Sequence, residues 1–204
     1  NWNKNGHFLM DVPGDNNFVG DLSYLLLGAD SAVLTIDAVD GVRPLTRKLW
    51  QAIKEQELPA IAFVNKLDRD RADFDMAFDG LSAVLGIKPV LLFMPIGQQE
   101  NFKGLVDVLG GKALFFEADG KVKEGDIPAD MADEVEALRE TTVENIAESD
   151  EALMEKYLEE GELTSEEILQ GLSVGVKSGE LVPVCVGSSL ENKGGAQLLD
   201  AIQS

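Results

Sequence analysis

Residues 58–64 read LPAIAFV, a run without a polar side chain, and the run stops abruptly at Asn65-Lys66-Leu67-Asp68. A stretch this apolar and this short is of the kind buried on both faces of a parallel sheet. An earlier segment, DSAVLTIDAVDG, alternates apolar residues before a glycine. Between the two lies RPLTRKLWQAIKEQE, with Leu45, Leu49, Trp50 and Ile53 at helical spacing. Strand, helix and strand of these lengths predict a right-handed βαβ crossover. A further helix is predicted across DFDMAFDGLSAVLG, where Phe74, Phe78, Leu81 and Leu85 recur at steps of four, three and four before Gly86. Two more strands are predicted near the ends of the chain: GHFLMDVPG, closing in a Pro-Gly turn, and LVPVCVGSS, followed by the helical GAQLLDAIQ. Both ends therefore read as one α/β sheet domain.

The middle of the chain has a different character. KPVLLFMPIG and FKGLVDVLGGKALFFEADGKV suggest short antiparallel strands with tight turns. From Pro128 a long acidic helical stretch carries Met131, Val135, Leu138, Thr142, Ile146, Ser149, Leu153 and Tyr157 as a stripe. Thr164 with Glu167 makes a capping box that opens one more helix. The expected division is residues 1–87 and 181–204 for the sheet domain, with an α+β subdomain inserted at 88–180. At 204 residues, two subdomains are the upper limit.

Charge follows the same division. Residues 117–167 hold nineteen acidic and four basic residues, most of the chain's net −20. Such a charge repels polyanions, so direct binding of nucleic acid is not expected of this chain alone. No apolar run approaches the ~20 residues of a membrane span, no signal segment follows Asn1, and Cys185 is the single cysteine, so a cytoplasmic protein without disulfides is expected.

Asn65-Lys66-Leu67-Asp68 closes a strand at the carboxyl edge, where open α/β sheets bind ligands. An Asp there can accept two hydrogen bonds from the ring N–H and amino group of guanine, a pattern that adenine does not offer. Lys66 can lay its stem over a purine, and Asn65 can tie neighbouring loops together. Asp11-Val12-Pro13-Gly14 ends the first predicted strand. A carboxylate there suits a water on Mg²⁺, and Gly14 leaves its N–H open to a γ-phosphate. Each motif alone reads more readily as a strand-ending turn. Together they lie 54 residues apart, each after an apolar strand, with one helix and one more strand between. Gly187-Ser188-Ser189-Leu190 follows the last strand with small residues that allow a backbone N–H to reach a guanine O6.

With these motifs in hand, the chain resembles translational GTPases, most closely bacterial elongation factor G and its paralogues. DVPGDNNF is similar to the second switch, GVRPLTRKLWQAI to the helix after it, IAFVNKLDR to the base-reading loop and GSSLENKG to the final guanine loop. The likeness extends through PIGQQENFKGLVDVL, DIPADM and EALMEKYLEEGELTSEEI in the middle. The resemblance implies a partial P-loop-type GTPase sheet domain that binds GTP or GDP with Mg²⁺. The implied nucleotide-binding residues are Asp11, Gly14, Asn65, Lys66, Asp68, Ser188, Ser189 and Leu190, with Asp11 reaching Mg²⁺ through water. It also implies the ribosome as partner, with the acidic insert facing the stalk protein. No Gly-x-x-x-x-Gly-Lys-Ser/Thr is present, so the chain is expected to be a fragment of a larger factor, inactive alone. Asp15 stands where the family carries a water-positioning His, beside Gly14, and Ser189 where Ala is usual. His7 is expected to be structural. Two readings follow: a GTPase driving translocation or a related ribosomal step, and a weakly hydrolysing ribosome-binding paralogue, which Asp15 favours. In this fold a strand is expected between those ending at Asp11 and Asp37. Without it, the neighbours are expected to close up, or two chains to pair through their strands as a dimer.

Overall fold

The nearly unbroken apolar run at 58–64 does become a strand covered on both sides. A computed structural model describes residues 1–12, 14, 19–117 and 121–203, with only the backbone of Val19, Asp21 and Ser23. In chain order it holds α1 (Val19–Leu26), β1 (Ala32–Asp37), α2 (Pro44–Glu55), β2 (Ala60–Asn65), α3 (Phe74–Leu85) and β3 (Lys88–Leu91). After these come β4 (Phe93–Ile96), β5 (Gly104–Asp107), β6 (Lys112–Phe116) and β7 (Val122–Gly125). The chain finishes with α4 (Ala132–Ala147), α5 (Glu151–Glu160), α6 (Ser165–Ser178), β8 (Leu181–Val186) and α7 (Gly195–Gln203). One sheet is parallel, in the order β1-β2-β8-β3, and the other antiparallel, in the order β4-β5-β6-β7. This is an α/β sheet domain with an insertion.

Side-chain alternation on the two central strands divides the interior. Ala62 and Val64 of β2, with Val182, Val184 and Val186 of β8, face a core shared with Trp50 of α2, Phe74 of α3 and Leu105 and Val106 of β5. Ile61, Phe63, Leu181 and Cys185 face the other way, against Val143 and Ile146 of α4 and Ile168 and Leu172 of α6. Cys185 is fully buried there, and burial pushes its thiol up to about 12. The expected stripe on the acidic stretch is real: Val135, Thr142, Ile146 and Leu153 are buried. It lies on two helices, because the Asp150 carboxylate accepts from the N–H groups of Ala152 and Leu153 and starts α5 afresh.

Three expectations change. Residues 6–12 form no strand, and Phe8 and Leu9 are 97% and 83% exposed. The chain just before them is held on α7 instead: the Trp2 indole N–H donates to Asp200 at 2.7 Å, and the Gln203 amide donates to the Trp2 carbonyl at 2.9 Å. Second, the neighbouring strands do not close up, because residues 6–12 stay out of the sheet and β1 has no strand on its outer edge among the described residues. Third, β3 pairs in parallel with β8, although residues 88–91 were expected to belong to the insert. The change of sheet falls at Leu92, since an apolar run does not declare which sheet it will join.

Candidate functional site

β1 and β2 run in register, so that Asp37 and Asn65 end side by side at the carboxyl edge of the parallel sheet. Asn65 then joins two loops. Its side-chain oxygen accepts from the N–H groups of Lys66 at 2.8 Å and Ser189 at 2.9 Å, and its amide nitrogen donates to Ser189 Oγ at 2.9 Å. The loop after β8 is closed within itself. Ser188, fully buried, exchanges backbone hydrogen bonds with Lys193, and its hydroxyl accepts from the Glu191 N–H. With the Ser188 and Ser189 amides engaged, the Leu190 N–H has no partner among the described residues.

Lys66 takes a left-handed backbone conformation, φ +69°, unusual for a side chain of its length. That turn carries its ammonium onto the Asp37 carboxylate. Burial alone would raise the Asp37 carboxyl, but the Lys66 hydrogen bond and charge and the N–H groups of Val39 and Asp40 outweigh it and hold the group below the usual range. Around this pair opens a polar cleft of about 490 Å³, lined by Asp37, Asp40, Lys66, Asp68, Arg69 and Arg71 among others. Asp68 Oδ1 is shut off from solvent at the cleft and has no hydrogen-bond partner among the described residues. A buried carboxylate oxygen without a donor is costly, and in native structures it calls for an explanation.

The remaining expected residues are not gathered here. Asp11 and Gly14 are exposed in the segment before α1, and among the described residues no hydrogen bond joins either to the cleft. Asp15 lies outside the described residues. His7 contacts the Gln203 side chain on α7 at 2.9 Å, away from the cleft. Among the described residues no three His, Cys, Asp or Glu side chains cluster as a metal cage. One exposed carboxylate, Asp11, does not make a Mg²⁺ site, and any such ion would take its other ligands from water and phosphate. A separate concavity of about 320 Å³ between α6, α7 and the sheet face is lined mainly by apolar groups such as Ile61, Leu92, Leu172 and Ile202, with Ser31, Ser173, Lys177 and Gln203 among them. Among the described residues no helix is long and apolar enough to cross a membrane.

Asp37 was not singled out in the sequence. The signal was present, since it closes an alternating strand just as Asn65 closes its neighbour, but strand register is not readable from one chain.

Parallel strands with polar loops collected at their carboxyl ends define an open α/β domain of the ligand-binding kind. Comparison with known proteins says which kind. The family model for the elongation factor Tu GTP binding domain matches residues 1–204, and the chain belongs to that family. Among solved structures, a crystal structure from Thermus thermophilus superposes with a TM-score of 0.88 and 33% identity, covering 96% of this chain and 29% of that one. This chain thus spans under a third of that relative's length.

Proposed function

We propose that this chain supplies the guanine-reading part of a ribosome-associated translational GTPase of the elongation factor G type. The observation that carries the reading is Asp68, which lines the cleft beside Lys66 and whose Oδ1 has no hydrogen-bond partner among the described residues; that oxygen is closed off from solvent, so a base would meet it once the side chain turns outward. A guanine ring N–H and amino group would satisfy the Asp68 carboxylate, the Leu190 N–H would meet the base O6, and the Lys66 stem would cover the ring face. In the same reading Asp11 would reach Mg²⁺ through water and Gly14 would leave room at the terminal phosphate only once their segment, which does not line the cleft here, is brought to a bound nucleotide. The family match supports guanine-nucleotide binding and a role in translation.

The test exchanges the acceptor for a mixed donor and acceptor. Asp68→Asn in the full-length protein should weaken GDP roughly tenfold to a hundredfold and improve XDP, because the amide can donate to the extra carbonyl of xanthine. Calorimetry with both nucleotides reads this directly, and an unchanged preference would remove Asp68 as base reader.

The acidic insert supports a second element of the proposal, contact with the basic mobile domain of the ribosomal stalk. Asp133, Glu134, Glu136, Glu140 and Glu144 on α4 and Glu151, Glu155 and Glu159 on α5 are exposed, a surface suited to steering a cationic partner. Asp15, in place of the expected His, favours a factor that binds nucleotide but hydrolyses it slowly.

A further inference from the structure

Between β4 and β5 the chain makes a turn that touches both polar loops at once. Gly97 starts it at φ +72°, and a Cβ there would stand 2.2 Å from the Asn101 carbonyl oxygen, so glycine is required. Gln98 sends its side-chain oxygen to the Phe74 N–H at 2.8 Å, at the start of α3. Gln99 holds the loop that carries Asp68 at two points. Its backbone N–H donates to the Leu67 carbonyl at 2.7 Å, and its side-chain amide donates to the Ala72 carbonyl at 3.2 Å. The other loop is gripped from the same turn, since the Lys193 ammonium donates to the Phe102 carbonyl at 2.9 Å and sits 5.4 Å from the centre of the Phe102 ring. The two loops also meet each other, through the Leu67 N–H and the Gly187 carbonyl at 3.2 Å. A Cβ at Gly187 would lie 2.2 Å from the Lys193 carbonyl oxygen, so this junction leaves no room for adjustment.

We propose that the Gly97–Phe102 turn is a brace by which the inserted subdomain positions both guanine-reading loops, making Gln98, Gln99 and Lys193 positioning residues for the base. The effect on the base rests on the reading of Asp68 given above, whereas the brace itself does not. Base affinity is then a shared property of the sheet domain and the insert.

Chemistry separates this role from simple space filling. Position 98 serves as an acceptor, so Gln98→Glu keeps its bond while Gln98→Leu loses it. Position 99 serves as a donor, so Gln99→Glu, of the same size, loses its bond. Lys193→Met keeps the apolar stem and drops the ammonium. Amide hydrogen exchange of residues 66–74 and 187–193 in this chain reads the brace, and GDP affinity of the full-length protein reads its effect on the base. Gln98→Leu, Gln99→Glu and Lys193→Met should each raise exchange and weaken GDP by about fivefold, while Gln98→Glu stays within about twofold on both. Equal behaviour of the two Glu variants, or unchanged exchange in Gln99→Glu and Lys193→Met, would overturn the brace. Faster exchange with unchanged GDP affinity would overturn its effect on the base. A wild-type protein with no guanine preference would sink the reading of Asp68 and the affinity claim with it, leaving exchange to decide the brace.

Discussion

At the scale of single residues, the site is a small electrostatic balance. Lys66 answers Asp37, so the cleft places a neutralised pair beside Asp68, whose inner oxygen has no donor among the described residues. An extra carboxylate near a bound phosphate would upset such a balance, and in the reading proposed above Asp15 would be one. Two unit charges ~4 Å apart repel by about 4 kcal/mol at an effective dielectric of ~20, a figure that solvent reduces. In that reading, an Asp at this position would be repelled by the phosphate and would not orient a water. If the proposed function holds, the full-length protein should hydrolyse GTP on ribosomes more slowly than factors that carry His there, and Asp15→His should raise the rate in a phosphate-release assay. A native rate equal to theirs, lowered by the change, would assign the water to another group. What the sequence made legible at this scale was the motif side chains, Asn65, Lys66 and Asp68. Partners contributed from distant positions, such as Asp37 and Gln99, were not legible because they depend on register and on where the insert folds back.

Elements were legible where a period and its stop signals agreed. α3 begins with the Asp73 carboxylate accepting from the Met76 N–H and ends at Gly86 in the left-handed region, as its spacing predicted. The α1 helix was missed, because VGDLSYLL has no charged flank to mark its face. Residues 6–12 were misread as a strand because an apolar run becomes one only when another strand pairs with it. α6 offers a quantitative check. Thr164 accepts from the Glu167 N–H, and the Glu167 carboxylate in return accepts from the Thr164 N–H and hydroxyl and from Lys156 of α5. The Lys156 bond first, then those from Thr164, pull Glu167 from 4.5 down to about 2. A carboxyl held low contributes stability that is present above its unfolded value and lost as pH falls through the folded one. In urea titrations, Glu167→Gln should thus be less stable than wild type at neutral pH, with the gap closing between pH 4.5 and about 2. A gap that persists at the acid end would mean that shape, not charge, holds the cap. Thr164→Ala should cost about 1 kcal/mol at neutral pH.

At the scale of the whole molecule, insert and sheet domain are not separable bodies. Leu105 and Val106 of the antiparallel sheet belong to the same buried cluster as Val64 and Val184 of the parallel one, and the acidic helices α4 and α6 cover the opposite face. The insertion itself was legible from its change of composition. Its seam at Leu92 was not, since KPVLL serves either sheet equally well by pattern. Cys185 lies in the middle of this shared packing, on a strand flanked by β2 and β3. With its thiol near 12 and no route for a reagent, alkylation has to wait for the sheet to part. A thiol-reactive dye should label native protein more slowly than urea-unfolded protein by roughly a thousandfold or more, in line with the population of open molecules. Labelling within seconds under native conditions would locate a local weakness beside β8. The chain therefore carries a single-use stopwatch at its centre: the moment at which that sulfur reacts records when the whole structure first lets go.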